Sequence, residues 1–267
     1  MTGRTIMGLP ALQDEIENGL QGALTATLRR ELTGPTAVLF SGGLDSVLLV
    51  ALARQCADMR LYTVGYPGSH DLKAGERAAG ELGLPWKGIV LDDDALRAAV
   101  IFLRERLGLS DPVVISFELP LYIVCATVPE GVLLSGQGAD ELFGGYARYA
   151  HMTDGERVRS MKEDLRALLA EGLPREERLA TLFGKRLVCP YLSPETIKAA
   201  EAVPPTALRG ELGNKGPLRD LALGLGLSVA RAPKKAAQYG SGTMRAMKRM
   251  ASAAGMPLGR WTREVNE

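Results

Sequence analysis

Two glycine-rich segments hold the residue types most able to do chemistry. The first is Ser41-Gly42-Gly43-Leu44-Asp45-Ser46, placed after a short apolar run, Thr36 to Phe40, and before an apolar, helix-length stretch, Val47 to Cys56. A strand that exits through two glycines into a helix lets the backbone approach a ligand closely, and N–H groups at a helix N-terminus attract anions. Ser41 and Ser46 add hydroxyl donors. Asp45 is the discordant member, because a carboxylate repels phosphate. It makes sense when Mg²⁺ bridges the two, since Mg²⁺ favours one or two carboxylates together with phosphate oxygens. The segment is not a Walker A loop, whose spacing and Lys are missing.

The second segment, Ser135-Gly-Gln-Gly-Ala-Asp-Glu-Leu-Phe-Gly-Gly-Tyr146, packs four glycines, two acids and an amide into twelve residues. Asp140 is a natural second Mg²⁺ ligand opposite Asp45. Glu141 stays open between contacting the metal, orienting a substrate amine and capping a helix. Phe143 and Tyr146 read as packing. The run Asp92-Asp93-Asp94 reads as a helix cap rather than a metal site, because acids suit helix N-termini. His70 and His151 read as surface or capping residues.

The elements that must position these loops follow from periodicity. Leu12, Ile16, Leu20, Leu24 and Leu28 recur every four residues and predict a helix over 11–32, ended by Gly34-Pro35. Strands are expected at 36–40, 61–65, 86–91 and 131–134, and helices at 47–56, 72–82, 95–107 and 117–128. Ser69 or Asp71 suits the N-cap of the 72–82 helix and Gly83 its C-terminal position. This alternation predicts an α/β fold, a parallel sheet with helices on both faces, with ligands at the carboxyl ends of its strands. Both glycine-rich loops follow strands directly, so both can open onto one crevice. Beyond about residue 152 strand signals fade, helical ones dominate, and Pro174, Pro190, Pro194, Pro204 and Pro205 punctuate. The expectation is a single domain, 1–267, with an α/β nucleotide-binding core over 1–151 and a helical region over 152–267.

Composition narrows the class. The 267 residues are 46% hydrophobic, and 32 basic side chains balance 31 acidic ones. A near-neutral chain gives no electrostatic reason to expect nucleic acid as a partner. No apolar run approaches the ~20 residues that span a bilayer. Acidic residues also interrupt the N-terminal stretch where a signal peptide would be apolar, so a cytoplasmic location is the expectation. Cys56, Cys125 and Cys189 lie far apart and read as buried or half-buried thiols rather than zinc ligands or a disulfide.

Strand–SGGLDS–helix resembles the pyrophosphate-binding loop of N-type ATP pyrophosphatases, the PP-loop or adenine nucleotide alpha hydrolase-like fold. Ser135 to Tyr146 is similar to the second signature of the asparagine synthetase synthetase domain, and Val64 to Lys73 resembles the segment of that family that holds adenine. The resemblance spans roughly residues 15–245. It implies ATP with its pyrophosphate on Ser41, Gly42, Gly43, Asp45 and Ser46. It puts adenine at Val64 and nearby backbone, ribose and α-phosphate near Ser135 and Gly136, and Mg²⁺ on Asp45 and Asp140. It implies an AMP-forming amide ligase that adenylates a carboxylate, aspartate being the first candidate, and transfers it to ammonia or another amine. Arg231 to Gly242 resembles the segment carrying a catalytic Lys; the Gly240-Ser-Gly242 spacing favours Lys234, with Lys235 as the fallback. A homodimer is a further implication.

Three departures from that family bear on substrate. The chain begins Met1-Thr2, without the Cys nucleophile of a glutaminase domain, which implies free ammonia, another amine or a separate glutaminase subunit. Gln137, a candidate catalytic residue beside Glu141, occupies a position that is usually Glu and cannot itself act as a base. Arg186, Val188 and Ser193 fall where the family has Glu, Arg and Asp. The nucleotide half reads as intact and the acceptor half as altered. Two rivals remain: a sulfur-transferring or RNA-modifying enzyme using the same adenylating loop, and a nucleotide-binding regulatory protein without turnover.

Overall fold

A computed structural model describes residues 9–232 and 240–266. Five parallel strands form the main sheet: β1 (Thr36–Leu39), β2 (Met59–Gly65), β3 (Trp86–Val90), β4 (Val132–Leu134) and β5 (Arg186–Val188), in spatial order β3-β2-β1-β4-β5. Helix α1 (Leu9–Glu31) precedes the sheet, and between and after the strands come α2 (Leu44–Ala53), α3 (His70–Leu82), α4 (Asp93–Leu107) and α5 (Pro112–Thr127), then α6 (Ala139–Phe143), α7 (Asp154–Ala167), α8 (Leu173–Leu182) and α9 (Pro194–Glu201). A two-stranded hairpin, β6 (Arg209–Gly210) and β7 (Gly213–Asn214), leads into α10 (Gly216–Gly224). Helices α11 (Thr243–Ala253) and α12 (Leu258–Glu264) close the described chain.

Strand alternation builds two cores. Val38, Leu61 and Leu134 pack with α1, α2, α3 and α10 on one face. Ala37, Tyr62, Val64 and Leu133 pack with α4, α5, α8 and α11 on the other. The parallel sheet is thus covered on both sides, as the alternation of elements predicts. Local signals set the boundaries. The Ser69 hydroxyl accepts from Leu72 N–H to start α3, and Gly83, at φ 63°, ends it. Asp92 caps α4 through Ala95 N–H, and Asp111 caps α5.

The carboxyl-terminal half differs from its helical sequence reading in the short hairpin β6–β7 and in one further strand. Arg186–Val188 is a strand, and it pairs with β4 as an edge of the main sheet. Three residues carry no readable period, and the flanking Lys185 and Pro190 hid it. The cysteines agree with their reading as thiols: none is bridged, Cys125 is buried, and Cys56 and Cys189 are half-buried. No single helix among the described residues is long and apolar enough to cross a membrane.

Candidate active site

The first loop is shaped by a close approach. Gly42 has φ 69°, and a Cβ there would overlap the Ala74 carbonyl of α3, so only glycine fits. The Ser41 hydroxyl accepts from Gly43 N–H at 3.3 Å, and the Ser46 hydroxyl donates to the Gly43 carbonyl at 3.2 Å. Gly43 caps α2 without a side chain, so no cap competes for the first N–H groups of that helix. Asp45 lies in the first turn of α2.

The second loop is pinned beside it. Gly138, at φ 94°, lies against Leu192, where any Cβ would overlap that side chain. A Cβ on Gly136 would stand 3.3 Å from the Asp45 Cβ, so the two loops touch. Tyr191, fully buried, donates its hydroxyl hydrogen to the Asp45 carbonyl at 3.2 Å.

Between the loops stands Lys215, which sequence reasoning passed over. Its Nζ lies 2.6 and 2.7 Å from the Asp45 carboxylate oxygens and 2.5 Å from Asp140 Oδ1. Lys215 is 2% exposed. Burial alone would lower its pKa, but the two carboxylates outweigh that and hold it above the usual lysine range. Its φ of 64° makes it the one non-glycine residue at positive φ among those described. The hairpin β6–β7 and the start of α10 impose that conformation. A Cβ on Gly145 would overlap both Asp140 Oδ1 and Lys215 Cε, which explains a glycine there. One signal could have revealed Lys215: Asn214-Lys215-Gly216-Pro217 announces a helix start, where a cation is electrostatically misplaced unless acids face it.

A cavity of about 540 Å³ opens over this ion cluster. It brings together Ser41, Gly42, Gly43, Asp45 and Asp140 with Lys215, and is also lined by His70, Asp71 and Arg77 of α3 and by Arg219. Ser46, Val64, Ser135, Gly136, Gln137 and Glu141 are not among its lining residues. Ser46 is buried beneath the loop, and the Val64 side chain is 5% exposed within the second core. Lys234 and Lys235 lie outside the described residues. The chain re-enters next to the cavity: Gly240 packs on the Asp71 carboxylate, and the Ser241 carbonyl accepts from Tyr66 N–H at 2.9 Å.

Gln137 and Glu141 face buried surroundings behind the second loop. Gln137 Nε2 donates to Glu176 Oε1 of α8 at 2.5 Å. Glu176 is 9% exposed, and burial together with the nearby Glu118 charge pushes its carboxyl up to about 8. Glu118 of α5, also buried, takes a 2.6 Å bond from Arg175 Nε, while its Oε2 has no partner among the described residues. Burial raises the Glu118 carboxyl despite Arg175. Glu141 accepts the Tyr146 hydroxyl, its Oε2 is buried without a partner among the described residues, and burial raises its carboxyl as well. The departures at β5 are structural in this fold. Arg186 pairs with Glu31 at 3.1 Å on the surface, Val188 is buried in the sheet, and Ser193 caps α9 through Thr196 N–H.

Among the described residues no three His, Cys, Asp or Glu side chains converge as a metal cluster. The donor set at the cavity is instead two carboxylates already sharing one positive charge. That set suits a hard cation whose remaining ligands are phosphate oxygens and water.

Residues 16–186 match the asparagine synthase family. A provisionally named glutamine-hydrolyzing asparagine synthetase of Methanocaldococcus jannaschii is 29% identical over 284 residues, which cover 91% of this chain and 52% of that protein. Asparagine synthetase B (glutamine-hydrolyzing) of Escherichia coli is 27% identical over 224 residues, covering 73% of this chain and 39% of that one. The chain thus spans about half the length or less of these relatives. Among solved structures, U34-tRNA thiolase NcsA from Methanococcus maripaludis aligns at 13% identity and TM-score 0.40, covering 94% of this chain and 77% of that one. NH3-dependent NAD synthetase from Campylobacter jejuni aligns at 15% identity and TM-score 0.33, covering 73% and 92%. With the family match extending from α1 to β5, through both glycine-rich loops, this chain belongs to the asparagine synthase family.

Proposed function

We propose that the chain is an ATP-dependent amide ligase that releases AMP and pyrophosphate, adenylating a carboxylate and passing it to ammonia or another amine. Aspartate is the first acid to test. One observation carries the reading: loops from adjacent strands β1 and β4 bring Asp45 and Asp140 within 2.7 Å of one buried cation, at a cavity that opens onto a helix N-terminus. That is an anion cradle facing a cation cradle, the arrangement a metal-bound polyphosphate needs.

In this reading the pyrophosphate end of ATP lies on Ser41 to Ser46. Asp45 and Asp140 hold Mg²⁺, which when bound offsets the charge that builds on the leaving phosphates. Lys215 supplies a second, protein-borne positive charge at the same place. A carboxylate oxygen attacks the α-phosphorus, the bond to pyrophosphate breaks, and an acyl-adenylate remains. The amine nitrogen then bonds to the acyl carbon as the bond to AMP breaks. Lys234, or failing it Lys235, is the further candidate for a phosphate contact. Ammonia would come from solution or from glutamine hydrolysis.

The test is product analysis with ATP, Mg²⁺ and aspartate, with and without ammonium. AMP, pyrophosphate and asparagine appearing in equal amounts support the reading. AMP and pyrophosphate appearing only with a different carboxylate keep the reaction class and change the acid. ADP and phosphate in place of AMP would overturn the class.

A further inference from the structure

Breaking the bond between the α-phosphorus and pyrophosphate leaves two products side by side. The acyl-adenylate has to be kept from water, whereas the pyrophosphate has to leave. A single mouth would send the second past the first. The structure offers another opening.

A second cavity, of about 560 Å³, adjoins the one over the ion cluster: Gly42, Arg77, Val229 and Ala232 line both. Gly42 brings no side chain to that junction, and its φ of 69° and the Ala74 carbonyl admit none. Arg77 is exposed on α3 and common to both cavities, while Arg231, also exposed, lines only the second. Glu81, one turn beyond Arg77 on α3, lines only the second as well. So does Ser228, whose hydroxyl donates to the Glu81 carboxylate. Leu82 and Leu227 add apolar wall.

A buried cation stands at the junction. Arg219 of α10 lines the first cavity and is 7% exposed. Its Nε donates to the Asn214 carbonyl at 2.9 Å, and its Nη1 donates to the carbonyls of Ala230 and of Ala232 on the shared wall. Among the described residues its Nη2 has no hydrogen-bond partner and no carboxylate pairs with it. Carbonyl partners leave the positive charge unbalanced, and a guanidinium in that state suits phosphate oxygens.

We propose, building on the ligase reading above, that the second cavity is the way out for pyrophosphate, which crosses from the Ser41–Ser46 loop past Gly42 and Arg77 while the adenylate stays behind. Arg219 pins the shared wall through Ala230 and Ala232 and draws the anion to the junction. Arg77 borders both sides of the crossing, and Arg231 meets the anion in the second cavity. Glu81 keeps the stay short, because its carboxylate repels what the arginines attract. Leu82 and Leu227 offer the anion no hydrogen bond.

The experiment changes the second cavity without touching residues that line the first. S228E adds a negative charge there and E81Q removes one. Each variant, once shown to melt as wild type does, receives ATP, Mg²⁺ and a carboxylate that supports ATP–pyrophosphate exchange in wild type. Acid-quenched single turnovers report cleavage of ATP, a coupled pyrophosphatase and phosphate sensor report pyrophosphate release, and displacement of a fluorescent ATP analogue reports nucleotide dissociation. The expected result for S228E is pyrophosphate release slowed about tenfold, with cleavage and nucleotide dissociation within about twofold of wild type. E81Q should release pyrophosphate faster than wild type, and both shifts should shrink as salt is raised. Release from S228E within twofold of wild type, or an equal slowing of nucleotide dissociation, overturns the separate exit. Wild-type protein that shows no exchange with any carboxylate would overturn the ligase reading itself, and this route with it.

Discussion

Two groups of acids lie on either side of one loop and are handled in opposite ways. In front of it, Asp45 and Asp140 share a buried ammonium at 2.5–2.7 Å. Behind it, Glu118, Glu141 and Glu176 are buried with one guanidinium, one phenol and one amide between them, and two of their oxygens have no partner among the described residues. Burying a charge is costly unless it is paired. The front pair answers with a lysine; the rear three answer by holding their protons more tightly. A carboxylate pair around one ammonium suits a cation and phosphate. The fold thus gives identical chemical groups two different environments by the company it sets beside them.

The sharpest way to break that contrast is at the front. Asp45→Asn should lower pyrophosphate release by at least about a thousandfold, since metal-assisted charge stabilisation is worth several kcal/mol, while the melting curve stays cooperative. Pyrophosphate release within tenfold of wild type would remove Asp45 from the metal assignment. Lys215→Met should cost about 3–5 kcal/mol in denaturant titration, because it leaves two adjacent carboxylates without a counter-charge. A loss below about 1 kcal/mol would mean that Lys215 does not hold the pair together.

The rear group is read through pH. In the folded chain Glu176 binds its proton up to about pH 8, against an ordinary 4.5. A raised folded-state value favours folding fully below about 4.5, and that advantage drains away as pH rises through 8. Wild type should therefore lose stability relative to E176Q between pH 5 and 9, by a few kcal/mol at about 1.4 kcal/mol per unit. Parallel stability–pH curves for the two proteins would refute the shift. The smallest effect belongs to Arg186, whose surface pair with Glu31 is worth under about 1 kcal/mol. Arg186→Ala should leave both half-reactions unchanged within twofold, and a larger change would return that position to the site.

The same contrast explains what could be read from the sequence. The front loops announced themselves because backbone geometry demands glycine at fixed places, and Gly42 and Gly138 do sit at positive φ against a neighbour. Strands β1 to β4 and their helices followed from apolar periodicity and from caps such as Asp92 and Gly83. Lys215 escaped because its partners lie 75 and 170 residues away and no local period marks it. Glu176 escaped because Arg175-Glu176-Glu177-Arg178 looks like a solvated helix face, and only the packing of α8 on α5 and β5 reveals which of its charges points inward. Strand β5 was too short to carry a pattern, although its Val188 completes the sheet beside β4.

The left-handed turn that delivers Lys215 also has a consequence for biosynthesis. Asp45 and Asp140 leave the ribosome long before the residue that neutralises them. Until the β6–β7 hairpin and the start of α10 have emerged, the two carboxylates lack the lysine that bridges them in the folded chain. A nascent chain halted before residue 215 therefore holds both carboxylates without the lysine that joins them in the finished fold.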